Sequence, residues 1–333
     1  MDSDQELLPT KVWHGRAGAA HKIIGPGGKL TAMALAPIRL GTSSWTGEGW
    51  LGSFYPAGSK PQDFLPLYAE RFDTVEVDST FYRIPAASAV RQWRERTPAG
   101  FTFAAKLPQT ITHEKLLVGV EEDLVAFLKV MDLLDDKLGP LLLQFPYFNR
   151  QKFPGLGFFV ERLENFLAQI PKGYRWVVEV RNRHWLCEKL YTLLRKYGVA
   201  LALVDHSWMP RPAEWFENGD PLTANFAFVR WIGDRKGIEQ QTKVWNRTLV
   251  DRTEELREWV KVLSKAGQGV DVMYAYANNH YGGYAPDTVE LFRRLWPRDQ
   301  AALPGDAAMH PASGPPSQQM LDFQGSPAIS KTP

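Results

Sequence analysis

The residues best suited to chemistry stand at the ends of apolar runs. The fullest stretch is Thr74–Pro85, TVEVDSTFYRIP. Val75 and Val77 alternate with Glu76 and Asp78, and Thr80 and Tyr82 follow. A period of two puts the valines on one face of a strand and the polar groups on the other. In Val177–Arg181, VVEVR, Glu179 and Arg181 share a face opposite Val178 and Val180. Two such carboxylates beside Lys106, Arg181 and Arg230 have the makings of an acid–base site with a grip on an anion. An exposed antiparallel edge strand with one wet face would show the same alternation.

The elements that must carry these residues follow a regular rhythm. Strand-like runs cover Ile38–Ser44, Thr74–Thr80, Phe101–Leu107, Pro140–Phe145, Arg175–Arg181, Val199–Asp205, Phe226–Ile232 and Asp271–Ala277. Helical patterns cover Pro61–Phe72, Ala87–Arg96, Glu121–Leu138, Gly157–Ile170, His184–Tyr197, Leu249–Ala266 and Pro286–Leu295, with a shorter candidate at Arg211–Gly219. Eight such units over about 260 residues predict a single (β/α)8 TIM-like barrel. An open doubly wound sheet is the alternative, but no G-x-G-x-x-G opens the first helix and no P-loop occurs. The expected divisions are a flexible tail over 1–37, the barrel over 38–300 and a disordered, proline-punctuated tail over 301–333.

Bulk properties narrow the classes. The 333 residues are 44% hydrophobic and 23% charged, as in ordinary globular proteins. Cys187 is the one cysteine, so no intramolecular disulfide can form; it is expected as a helix residue without a chemical role. A net charge of +2 neither demands nor forbids nucleic acid. No apolar run reaches the ~18 residues of a membrane span. The acidic N-terminus lacks a secretory pattern, and the cytoplasm is the expected location.

In a barrel the active site lies at the C-terminal ends of the strands. The runs there deliver Thr42 and Trp45; Asp78, Thr80 and Tyr82; Lys106, with His113 in the next loop; Gln144; Glu179 and Arg181, followed by Trp185; Asp205; Arg230 and Trp231; and Asn278. Every strand thus offers a polar group to one rim. Inside the lumen, Glu76 or Glu179 must pair with Lys106, Arg181 or Arg230, since a lone buried charge is costly. Such a network can shift pKa values enough for catalysis; it can also be a structural lattice plugging the lumen. His113, His184, His206 and His280 follow strands and, with the carboxylates, could hold a divalent metal. No H-E-x-x-H, H-x-H or C-x-x-C supports one, so no cofactor is expected. Trp45, Trp185 and Trp231 beside the arginines suit a flat or anionic ligand as well as rim packing.

Several motifs in order resemble the YecE-like family, also called domain of unknown function 72. They are GTSSW (Gly41–Trp45), FYP (Phe54–Pro56), TVEVDSTFYRIP, FAAKLPQTITH (Phe103–His113), LLLQFP (Leu141–Pro146), EVR (Glu179–Arg181) followed by Trp185, and YAYANNHYGGYAP (Tyr274–Pro286). The resemblance spans about Ile38 to Trp296. It implies a TIM-like barrel and no settled reaction. Asp78 departs from the family's usual Asn and adds a charge.

One piece of the C-terminal tail has its own pattern. Gln318, Leu321 and Phe323 form Q-x-x-L-x-F, which resembles peptides that dock on the bacterial sliding clamp.

Together these features predict a hydrolase-like enzyme acting on a phosphate- or sugar-containing substrate, nucleic acid included. Glu76 or Glu179 is its base, Lys106, Arg181 and Arg230 its anion grip, and His113 its acid or donor. Asp78, Thr80, Tyr82, Gln144 and Asn278 orient the substrate. The alternatives are a non-catalytic binding or adaptor protein recruited to the clamp, and a sugar isomerase or glycosidase.

Overall fold

The structure is a computed structural model and describes residues 35–297, except 152 and 218. Residues 1–34 and 298–333, with Gln318, Leu321 and Phe323, lie outside the described residues; of the tail expected over 1–37, Leu35 and Ala36 are buried, and the Ala36 N–H donates to the Gly267 carbonyl at 2.9 Å. The eight strands are β1 (Ile38–Thr42), β2 (Thr74–Val77), β3 (Thr102–Lys106), β4 (Leu138–Gln144), β5 (Trp176–Glu179), β6 (Ala200–Asp205), β7 (Phe226–Trp231) and β8 (Val272–Ala277). They lie in the order β1-β8-β7-β6-β5-β4-β3-β2, each neighbouring pair parallel. Helices return the chain between strands, except that β6 and β7 are joined through a short 3₁₀ helix, Pro212–Phe216, where the sequence offers a candidate at Arg211–Gly219. The α-helices are α1 (Pro61–Ala69), α2 (Ala87–Glu95), α3 (Glu121–Met131), α4 (Leu156–Leu167), α5 (Glu188–Tyr197), α6 (Arg235–Glu239), α7 (Thr253–Ala266), α8 (Asn279–Gly282) and α9 (Ala285–Leu295). This is the (β/α)8 barrel that the rhythm predicts.

The strands are buried on both faces, so their outward sides read as apolar runs against the helices. The helices bury one stripe each, such as Leu124, Phe127, Leu128 and Met131 of α3. Val125, adjacent in sequence, falls off the stripe and is exposed. The helix expected to reach Leu138 stops at Met131. A short turn follows in which Asp135 adopts φ +53°, a conformation that ends helical hydrogen bonding. Leu138 then opens β4. Cys187 is the N-cap of α5 and partly exposed, rather than inside the helix.

The barrel closes between β1 and β2 through side chains. The Tyr68 hydroxyl, buried on α1, accepts from the Thr42 backbone N–H at 2.8 Å and donates to the Thr74 carbonyl at 3.1 Å. Below it, the Leu40 N–H donates to Asp73 Oδ1 at 3.0 Å. Gly41 makes the approach possible: a Cβ there would lie 2.0 Å from the Thr74 carbonyl oxygen. The conversion Tyr68→Phe leaves the buried Thr42 N–H unmatched. It should cost about 1–3 kcal/mol in urea unfolding, and unchanged stability would show that the seam does not depend on this hydroxyl.

Candidate active site

Register decides which side chains enter the lumen, because paired residues on neighbouring strands share a face. Glu76 pairs with Ala104, Gln144 with Glu179, Val204 with Arg230, and Arg230 with Tyr276. The small residues Gly41, Ala104, Ala200 and Ala202 sit on the same face and leave room for the long ones. At the lower level Thr74 Oγ1 meets Tyr276 Oη at 2.8 Å and Thr102 Oγ1 at 3.0 Å. Above lies the ion network. Arg230 donates through Nη1 to Glu179 Oε2 at 2.8 Å and through Nη2 to Glu76 Oε1 at 2.6 Å. All three are buried.

The upper level faces the mouth. Arg181 Nε lies 2.6 Å from Glu179 Oε1. Arg181 keeps 16% of its side chain exposed, and its two terminal nitrogens have no hydrogen-bond or ion-pair partner among the described residues. Lys106 Nζ lies 3.2 Å from Asp78 Oδ1 and 3.7 Å from the centre of the Phe81 ring, a cation–π contact. The expected strand through Thr80 ends at Val77, and Asp78–Phe81 form a short 3₁₀ turn. The Thr80 hydroxyl lies 2.8 Å from the Val77 carbonyl and 2.6 Å from the Lys106 carbonyl, so it docks this turn on β3. His113 sits in a π turn, Thr110–Glu114, followed by Leu116 and Leu117 at φ +47° and +68°. Non-glycine residues held in the left-handed region store strain. The Phe81 ring packs edge-on against His113 at 4.8 Å, linking it to Lys106.

The network separates its two glutamates. Burial raises the Glu179 carboxyl, but Arg181 and Arg230 outweigh it and bring its pKa down to about 2. Burial raises Glu76, reinforced by Asp78 and only partly offset by Arg230. Glu76 Oε2 has no hydrogen-bond partner. Burial also lowers Lys106, against the pull of Asp78. His113 and His206 both fall to about 4, through burial first; Lys106 and then Arg181 add to it for His113, and Arg181 for His206. Both imidazoles are therefore neutral at pH 7.

Other residues expected at the site take no part in the ion network. Asp205 faces the helix layer, where its Oδ2 accepts from Trp259 Nε1 at 2.7 Å and Tyr281 Oη at 2.9 Å. Thr42 turns toward Tyr68. Trp185 is buried in a stack with Phe148 and Phe159, and Trp231 packs on Phe292. Trp45 packs edge-on against Trp93 and Phe103. Asn278 caps α8 by accepting from the His280 N–H at 3.0 Å. Gln144 donates to the Phe145 carbonyl at 2.5 Å. Tyr82 is exposed on the rim. Two rim aromatics were not singled out from the sequence: Tyr147, after β4, and Trp208, after β6. Their types resemble the buried aromatics around them, and only the structure shows their exposure.

Residues 39–313 match the family described as Protein of unknown function DUF72. The chain belongs to this family. It is similar to the UPF0759 protein YecE of Escherichia coli strain K12, 28% identical over 233 residues, covering 64% of this chain and 80% of that protein. It is also similar to the UPF0759 protein YunF of Bacillus subtilis strain 168, 27% identical over 259 residues, covering 73% and 89%. The crystal structure of a DUF72 family protein from Thermotoga maritima MSB8 superposes with TM-score 0.62 at 28% identity, covering 78% of this chain and 98% of that one. DUF72 membership accounts for the barrel and leaves the chemistry to the residues. Among the described residues no three His, Cys, Asp or Glu side chains group as metal ligands, and no helix is long and apolar enough to cross a membrane.

The ion network makes two measurable demands. Arg230→Met strands two buried carboxylates and should cost about 3–5 kcal/mol in urea unfolding at pH 7, with Glu76→Gln added to it restoring part of the loss. No loss on Arg230→Met would mean that the carboxylates do not need their cation. The second concerns pH. Glu179 is held below its ordinary 4.5 at about 2, so its contribution is present above pH 4.5 and lost as pH falls toward 2. The stability gap between wild type and Glu179→Gln should therefore narrow across that range; a constant gap would contradict the depressed value.

Proposed function

We propose that the barrel mouth is the active site of a hydrolase-like enzyme that grips its substrate by an anionic group, a phosphate above all. The observation that carries this reading is Arg181. Its Nε is anchored on buried Glu179, its side chain keeps 16% exposure, and its terminal nitrogens have no protein partner among the described residues. A guanidinium fixed at one edge and open at the other is preorganised for two parallel hydrogen bonds to a phosphate or carboxylate. Lys106 supplies a second cation on the same rim. Neutral His113 and His206 both feel the Arg181 charge and can hydrogen-bond without adding charge of their own.

The proton chemistry falls to Glu76. Glu179, with a pKa near 2, is too weak a base at neutral pH. Glu76 has a raised pKa and a free Oε2, which suit a group that takes and returns a proton. Asp78, partly exposed beside Lys106, holds the cation in place. The glycosidase alternative finds less support. Its two carboxylates should flank an open sugar slot, whereas Glu76 and Glu179 are buried on one shared guanidinium.

Calorimetric titration with inorganic phosphate and phosphate esters, joined to a hydrolysis screen over the same esters, tests this. Arg181→Ala should weaken binding about 10- to 100-fold with the fold retained. Glu76→Gln should lower kcat about 10²- to 10⁴-fold with binding retained. Wild-type protein that binds none of these anions at millimolar concentration would overturn the reading, as would an Arg181→Ala variant that binds them equally well.

A further inference from the structure

The mouth carries a second feature, next to Arg181, that an anion grip does not require. Tyr147 and Trp208 come from different loops, after β4 and β6, yet their rings meet with centroids 6.2 Å apart at 67°. Both stay open to solvent, 54% and 62% exposed. Five other tryptophans of the barrel are packed away by contrast: Trp50, Trp185, Trp215, Trp231 and Trp259 are all fully buried. Two rings held against each other, each with more than half its surface in water, form a prebuilt apolar platform.

His206 links the platform to the side of the barrel that carries Arg181. The Trp208 backbone N–H donates to His206 Nδ1 at 3.2 Å, and the two rings lie 5.1 Å apart. Accepting at Nδ1 places the proton of the neutral imidazole on Nε2, which leaves His206 a donor. His206 in turn lies within the field of Arg181. Gln144 and Glu179 are register partners, so Tyr147 and Arg181 leave adjacent strands within three residues of that pair. Arg150 stands exposed further along the same loop as Tyr147.

An exposed indole face braced by an edge-on ring, a neutral donor and a forked cation match the parts of a nucleotide: base, polar edge and phosphate. We propose that this sector of the mouth binds a nucleotide unit, its base stacked on Trp208 with Tyr147 bracing that ring edge-on, and its phosphate on Arg181. A base offers a π face to such a platform whatever its identity, so recognition is tolerant of sequence. The inference rests on the anion-gripping role of Arg181 and adds the class of substrate. Two sources share this chemistry, a free nucleotide and a unit of a single-stranded nucleic acid.

Calorimetry with four probes separates the possibilities: adenosine 5′-monophosphate, ribose 5-phosphate, adenosine and a 5′-phosphorylated single-stranded decanucleotide. The monophosphate should bind at least tenfold more tightly than ribose 5-phosphate. Trp208→Ala should erase that advantage, weakening the monophosphate about 5- to 150-fold while leaving ribose 5-phosphate unchanged. Trp208 is exposed, so this variant should melt as wild type does. A decanucleotide that binds at least tenfold more tightly than the monophosphate identifies a strand as the source; equal binding identifies the free nucleotide. Equal affinity for the monophosphate and ribose 5-phosphate overturns the base platform but leaves the anion grip standing. Binding of adenosine that depends on Trp208, without binding of either phosphate, supports the platform and defeats the grip. No binding of any probe overturns both.

Discussion

The Arg230 guanidinium is held by carboxylates from strands that are not its neighbours in the sheet. β7 pairs with β6 and β8, while its two partners, Glu76 and Glu179, come from β2 and β5. The contact therefore spans the lumen and fixes strands that the backbone ladder alone does not bring together. TIM-barrel lumens are ordinarily filled by layers of branched apolar side chains. Here Ala104, Ala200, Ala202 and Gly41 thin the walls so that one long cation and two carboxylates fill the space. Breaking such a triad leaves a charge in a medium that cannot solvate it, whereas an apolar filling of equal volume is often at least as stable. A fold that keeps the ionic version has accepted a lumen that works only when complete.

What the triad secures is the position of the level above it. Glu179 contacts Arg230 through one oxygen and Arg181 through the other, so the buried carboxylate transmits the geometry of the core to the guanidinium at the mouth. Lys106 is fixed in a comparable way, between Asp78 and the Phe81 ring, by a turn that the Thr80 hydroxyl docks onto β3. The lower groups, Thr74, Thr102 and Tyr276, satisfy one another and are buried. The lumen thus divides by depth: hydroxyls that fill, an ion triad that positions, and a rim whose cations remain available.

The strands and their order in the chain were legible because each run ends where a turn or polar group begins. The facing of Glu76, Glu179 and Arg230 was legible wherever valines alternate with charges. β6 shows why the rest was not. Its sequence ALALVD is apolar on both faces, so nothing in it tells which parity faces the lumen, and Asp205 falls on the outer one, against Trp259 and Tyr281. Thr42 follows the same logic on β1. The tryptophans mislead for another reason. A large ring at a strand end is stabilised equally by burial in the helix layer and by a ligand, and position alone does not say which. Trp185 and Trp231 take the first course; Trp208, set in an irregular loop, stays exposed.

The charges of the mouth are paired, but their protons are not equally held. Glu76, Asp78 and Glu179 formally cancel Lys106, Arg181 and Arg230 when all six are ionised. They are not equally held to that state. Glu179 lies between two guanidiniums and stays ionised far below neutral pH, whereas burial and Asp78 draw Glu76 toward its protonated form. Burial draws Lys106 the other way, toward its neutral form, against the pull of Asp78. A proton gained on Glu76 and one lost from Lys106 leave the summed charge of the six groups unchanged. Within a low-dielectric enclosure, where each charge interacts more strongly than in water, the chain of contacts therefore governs where a proton sits more than how many charges the mouth carries.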